Sequence, residues 1–146
     1  MRVFCDTSVL VAASVEVHVH HGLARAVLER IRDGDDIGHT SAHALAEMFS
    51  VLTRMPTTPK LQSQDVLAIL ERNILPHFVL AVPASEDHPQ AIRFLAATGL
   101  GGGRIYDLLH VRLAGKIGVD RIYTFNDREW RILAPDLAPI IVAPPH

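Results

Sequence analysis

The sequence predicts a three-layer α/β/α domain, with a central, mostly parallel sheet of four to five strands. Three observations carry that prediction. Short apolar runs of strand length alternate with longer segments whose apolar residues recur at helical spacing, a pattern that implies right-handed crossovers with helices on both faces of the sheet. The 146 residues suffice for one domain that buries about two-thirds of its unfolded surface, and show no internal repeat, low-complexity tract or second domain. Two of the strand-like runs end in carboxylates, at the strand ends where such folds collect ligands.

Residues 2–5 form the first strand, fully apolar after Arg2. Asp6-Thr7-Ser8 then caps a short helix to about Ala13. From Val19 to Arg32, Leu23, Val27, Leu28 and Ile31 repeat at helical spacing, and Gly34 ends the helix. Ile37-Gly38-His39 is a minimal strand, and Thr40 or Ser41 caps a helix to about Arg54. Pro56 and Pro59 force a loop before a helix over Gln64–Ile74. Val79–Val82 is a strand. Ser85–Thr98 is a helix with Glu86 and Asp87 at its positive end. The glycine-rich loop 99–103 leads into a helix from Arg104 to about Lys116. Arg121–Tyr123 is a strand, Asp127–Leu133 a short helix and Pro139–Val142 a last strand.

Composition narrows the classes. A hydrophobic content of 49% excludes disorder. The lone cysteine, Cys5, cannot form an internal disulfide and lies in an apolar strand, which makes it an inert core residue and a reducing, cytoplasmic setting the expected one. Arg2 before an apolar run faintly imitates a signal peptide, but Asp6, Thr7 and Ser8 interrupt it. No run approaches the ~20 apolar residues of a membrane span. The net charge of −2 does not advertise a nucleic-acid binder. Residues 104–131 nevertheless carry six basic side chains against four acids, which fits either a phosphate-binding face or a solvated helix surface.

The chemistry-bearing feature is a set of acids inside apolar runs: Asp6, Glu47, Asp107 and Asp127. An unpaired buried carboxylate costs several kcal/mol, and no Lys or Arg adjoins Asp6 in sequence. A cation is the natural counter-charge, and acids gathered from across a chain point to Mg²⁺ and phosphate chemistry. Each has a plainer alternative. Asp6 fits a helix N-cap, although Thr7 or Ser8 would serve as well. Glu47 fits a solvated helix position, although Ala44, Leu45, Met48, Phe49 and Val51 around it turn it inward. Asp107 heads an apolar stripe through Val111 and Ala114, in a first turn whose dipole favours an anion. In Thr124–Trp130, Thr124, Asn126, Asp127 and Glu129 all offer oxygen, and Asn126 or Asp127 fits an N-cap. His18, His20 and His21 lack a Cys or acid at ligand spacing and read as a surface turn. The glycines of 99–103 lack the Lys-Ser/Thr of a phosphate loop.

Four segments in this order resemble the PIN-domain ribonucleases and, within them, the VapC-type toxins of bacterial toxin–antitoxin pairs. They are V-F-C-D-T-S-V-L, A-L-A-E-M-F-S-V-L-T-R, G-G-R-I-Y-D-L-L-H and Y-T-F-N-D-R-E-W, and the resemblance spans nearly the whole chain. It implies a PIN-like fold and hydrolysis of RNA phosphodiester bonds with Mg²⁺, for which Mn²⁺ may substitute. Asp6, Glu47 and Asp107 match the family's first three acids, with Asp6 and Asp107 as metal ligands. The fourth position falls on Asn126 or Asp127, and Asp127 is the expected one. Ser8 and Thr124 match hydroxyl positions that bond ligands or nucleotide, and Arg104 opens the basic stretch that would guide RNA. The resemblance also implies a small VapB-like antitoxin that fills the acidic site, and a homodimer. Three other expectations stand beside it: a solitary PIN nuclease in RNA processing, a PIN-like scaffold acting only through protein contacts, and a non-catalytic metal-binding signalling module. The last is disfavoured because Lys60 and Lys116 are the only lysines.

Overall fold

Val3, Phe4 and Cys5 have no exposed surface, as expected for a strand covered on both faces. In the computed structural model, which describes residues 1–146, they lie in the central strand β1 (Arg2–Cys5). The other strands are β2 (Ile37–Ser41), β3 (Phe78–Ala81), β4 (Arg121–Tyr123) and β5 (Ile141–Val142), and the sheet order is β3-β2-β1-β4-β5. Every pairing is parallel.

Side-chain alternation along β1 divides the core. Val3 and Cys5 face one layer, built on Leu10 of α1 (Thr7–Ser14), Val27 of α2 (His21–Arg32), Met48 and Leu52 of α3 (Ala42–Arg54) and Val66 of α4 (Ser63–Ile69). Phe4 faces the other, built on Leu95 of α5 (Asp87–Thr98), Leu108 and Val111 of α6 (Arg104–Ile117) and Trp130 of α7 (Asp127–Leu133). The chain lays β1, β2 and β3 side by side in one direction, then crosses back to place β4 on the far side of β1. The carboxyl ends of β1 and β4 therefore flank a topological switch point, where crevices open in such sheets. Burial also pushes the Cys5 thiol well above its ordinary range, with the Asp6 charge adding to the shift.

The elements differ from the sequence reading at their ends. α2 starts at His21, not Val19, because Val17 and Val19 find no core and stay 86% and 85% exposed. The 64–74 segment opens at Ser63 behind a Gln62–Asp65 capping box, and at Leu70 widens into a π-turn that carries Ile74 to full burial. β2 runs on to Ser41, whose hydroxyl then accepts the Ala44 N–H as the α3 cap. β3 shifts back one residue to Phe78, and α5 starts at Asp87, whose carboxylate accepts the Ala84 N–H. Pro139 lies within a 3₁₀ turn, Pro135–Ile140, which leaves Ile141 and Val142 as the whole of β5.

At Gly38 of β2 an added Cβ would lie 2.7 Å from Ile31 Cγ2 and 3.1 Å from Phe78 Cδ1, both in the packed core. Gly38→Ala is expected to destabilise the domain by about 1–3 kcal/mol through overpacking, read as a lower urea midpoint. An unchanged midpoint would show that α2 yields freely there.

Candidate active site

Asp6 follows β1 directly and is only 4% exposed. It occupies the N-cap position of α1 yet makes no side-chain cap bond, so capping does not explain it. Its Oδ2 instead accepts from the hydroxyls of Thr124 at 2.7 Å and Ser8 at 2.9 Å. The Ser8 hydroxyl in turn accepts the Phe125 N–H, and the Thr124 hydroxyl accepts the Asn126 N–H. No side-chain donor reaches Oδ1. Burial raises the pKa of Asp6, against the pull of these two hydroxyls and of the His110 charge.

Glu47 projects from the middle of α3 into the same space, as its apolar neighbours predict. Its Oε1 accepts from His110 Nε2 at 2.7 Å and, when His43 is protonated at Nε2, from that atom at 3.3 Å. Its Oε2 meets only the Thr7 hydroxyl, at 3.4 Å. Burial works against ionisation of Glu47, but His110, His43 and Thr7 outweigh it and hold the carboxyl below its usual value. His110 was not among the expected site residues. On α6 it lies three residues beyond Asp107, within an apolar run that gave it the look of core.

Asp107, in the first turn of α6, has no protein hydrogen bond. Burial, with the charges of Asp6 and Glu129, pushes its pKa up to about 6. The indole Nε1 of Trp130 is buried without a hydrogen-bond partner. Its polarity favours the Asp107 anion, though no bond within 3.5 Å forms.

Asp6, Glu47 and Asp107 line one open cavity of about 280 Å³, together with Thr7, Ser8, His18 and Asn126. No Lys or Arg lines it. The α7 segment departs from the expectation. Asp127 does not line the cavity; it pairs with Arg131 at 3.2 Å, and Arg131 also donates twice to the Ile141 carbonyl. The α7 acid whose charge registers at Asp107 is Glu129, which also pairs with Arg104 at 2.9 Å. Two residues along a helix turn by about 200°, so Asp127 and Glu129 face opposite ways. The basic stretch is largely engaged as well: Arg104 and Arg131 as described, Arg112 over the Phe94 ring and Lys116 on Asp87.

No three His, Cys, Asp or Glu side chains are spaced as a ready-made metal site. The donor set nevertheless suits Mg²⁺, a hard cation that binds through one or two carboxylates and keeps several waters. Asp6 Oδ1 and Asp107 are the free carboxylate oxygens, and their mutual repulsion is what a cation would relieve.

The family model of the PIN domain matches residues 3–134. The chain belongs to the PIN-domain family. Ribonuclease VapC27 of Mycobacterium tuberculosis is 34% identical over 104 residues, 71% of this chain and 70% of that protein. Two solved structures share the PIN fold. VapC20 of M. tuberculosis, a sarcin-ricin loop cleaving toxin, has a TM-score of 0.68 at 18% identity, over 87% of this chain and 92% of that one. VapBC2 of Rickettsia felis, bound to a DNA fragment from its promoter, has a TM-score of 0.66 at 21% identity, over 98% of each chain. The match places Asp6, Glu47 and Asp107 inside the PIN domain. No helix is long and apolar enough to cross a membrane.

The Asp107 pKa near 6 lies above its ordinary 3.8, so folding favours the protonated acid. Its contribution to stability is present below about pH 4 and is lost as pH rises through 6. In chelator, Asp107→Asn should therefore gain stability over the parent as pH increases from about 5 to about 7.5, measured by urea unfolding. A difference that does not change with pH would show that neither burial nor the charges of Asp6 and Glu129 disfavour the Asp107 anion.

Proposed function

We propose that this protein is a Mg²⁺-dependent endoribonuclease that hydrolyses RNA phosphodiester bonds as the toxin of a toxin–antitoxin pair. The observation that carries the reading is the convergence of Asp6, Glu47 and Asp107, from three separate elements, on one open cavity at the sheet's switch point. The 34% identity to a VapC ribonuclease supports it.

In this reading Asp6 and Asp107 would hold the cation. A bound Mg²⁺, or Mn²⁺ in its place, supplies the positive charge that makes water more acidic and offsets charge developing on the phosphate. Glu47, kept ionised by its histidines, accepts a proton from the attacking water through Oε2 and orients it. Ser8 and Thr124 fix Asp6, and Asn126 offers an amide to a nucleotide at the cavity mouth. Glu129 supplies the fourth negative charge, while Asp127 anchors α7 to β5. No side chain here is placed as a covalent nucleophile, so water attacks directly. Arg104, still half-exposed in its pair with Glu129, is the cation we assign to the RNA backbone.

The acidic cavity also suits an inhibitor that inserts an Arg, whose planar fork pairs with carboxylates two at a time. A small VapB-like antitoxin with such a side chain is the partner we propose. A homodimer joined through exposed apolar residues of α3 and α4, such as Phe49 and Leu67, belongs to the same reading.

Purified protein is expected to cut RNA with Mg²⁺ or Mn²⁺ and to stop in chelator. Asp6→Asn and Asp107→Asn should each lose at least about 100-fold in kcat, a scale typical of lost electrostatic stabilisation. Full activity in chelator, or in both variants, refutes the mechanism. On α7, Glu129→Gln should slow turnover more than Asp127→Asn, which should mainly lower thermal stability. The reverse order would return Asp127 to the site. Co-expression with a small VapB-like gene, expected beside this one, should yield an inhibited complex, and light scattering a dimer; a free, active monomer would leave a solitary nuclease.

A further inference from the structure

We infer that His110 and Ser41 are positioning residues that clamp Glu47 by its Oε1 and so reserve Oε2 for the reacting water. The role given to that water rests on the nuclease reading above; the clamp itself rests on hydrogen bonds.

The two oxygens of Glu47 are unequally served. Oε1 lies 2.7 Å from His110 Nε2 and 3.3 Å from His43 Nε2. Oε2 has one long contact, 3.4 Å to the Thr7 hydroxyl, well beyond the usual O–H···O distance. A carboxylate only accepts, so the proton of this short bond belongs to His110 Nε2. The other ring nitrogen, Nδ1, lies 2.9 Å from Ser41 Oγ. That oxygen already accepts the Ala44 N–H and retains one proton and one lone pair. A neutral ring therefore accepts the Ser41 proton at Nδ1, and a charged ring donates to Ser41 instead. In either state Nε2–H points at Glu47, so the clamp does not depend on the charge of His110.

The ring has little freedom to leave. It is 4% exposed, lies parallel to Trp130 within 7° at 6.4 Å and tilts against Phe4. A flip would break both bonds. His43, by contrast, is half-exposed and stacks on Tyr106, which makes it the weaker, solvent-side partner. The geometry closes on itself. Ser41 caps the helix that carries Glu47, and His110 lies three residues past Asp107, on the same side of α6. One turn of α6 thus supplies one acid of the cavity and the group that aims another.

Without the clamp, Glu47 would be a helical side chain one-third exposed to solvent with several rotamers open to it. Loss of an orienting partner of this kind commonly costs 10–100-fold. His110→Ala is expected to lower kcat by that factor on a randomised single-stranded RNA pool with Mn²⁺, with KM within about twofold, since orientation and not RNA binding is lost. His110→Gln keeps an N–H donor and should recover several-fold over Ala at equal melting temperature. A raised KM at unchanged kcat, or a Gln variant no better than Ala, overturns the inference.

A second measurement does not need the His110 variants to fold or the protein to cleave. In ¹⁵N-labelled protein the His110 ring should carry its proton on Nε2, and that proton should move upfield in Glu47→Gln as the charged acceptor is lost. A ring protonated only on Nδ1, or an Nε2 proton indifferent to Glu47→Gln, overturns the clamp. If the protein cuts no RNA, the nuclease reading fails, and the ring proton alone supports or overturns the clamp.

Discussion

The structure is organised around one carboxylate that has been taken out of water. Asp6 stands at the end of the central strand with 4% of its surface exposed, and no cationic side chain pairs with it. Its charge is met by two hydroxyls, and each hydroxyl also accepts a main-chain N–H from the residues after β4. Two of these bonds, from Thr124 to Asp6 and from the Phe125 N–H to Ser8, lock the β1–α1 corner against the β4–α7 corner, across the crevice where the strand order reverses. The Asp6 N–H adds a third tie, to the Tyr123 carbonyl. No side-chain donor reaches Oδ1, and the Thr7 N–H adds only a weaker pull toward the anion, so the device that makes the buried acid tolerable leaves one of its oxygens without a side-chain partner.

Three acids around one cavity would ionise alike in water, and here they do not. Burial pushes Asp6 and Asp107 upward, with the charges of Asp6 and Glu129 adding to the shift at Asp107, whereas two imidazoles hold Glu47 down. Environments that push carboxyl groups apart are how one site separates roles. The pair with raised values lacks a counter-charge and is the pair that gains from a cation. The group with the lowered value has its partners already and is committed to the anion. On the nuclease reading, the division between ligand and proton acceptor would follow from which acids the histidines reach.

The sheet was legible because β1 and β4 are short apolar runs set between the helical apolar patterns of α3 and α6. Asp6, Glu47 and Asp107 were legible for the same reason, each being a charge inside an apolar pattern. Where the pattern is local but the outcome is tertiary, the sequence was silent. The π-turn at Leu70 exists because Ile74 reaches the core, and a window on residues 64–74 does not contain that core. His110 carries no local signal of its role, because its partners, Ser41 and Glu47, are more than sixty residues away. On α7 the spacing offered three acids or amides within four residues. Only the helical phase, fixed by burial of Trp130 and Leu133, turns Glu129 toward Asp107 and keeps the face of Asp127 and Arg131 away from it.

The fate of the basic residues follows from the same packing. Read along the chain, Arg104–Arg131 suggests a face for a phosphate backbone. In the fold, Arg104 is on Glu129, Lys116 on Asp87, Arg112 over Phe94 and Arg131 on the end of β5, so these charges join α5, α6, α7 and the sheet edge to one another. The cavity has no lysine or arginine in its lining and repels polyanions on its own. On the nuclease reading, a cation therefore does two things for this protein that its side chains do not: it relieves the repulsion between Asp6 and Asp107, and it converts a cavity that rejects phosphate into one that receives it.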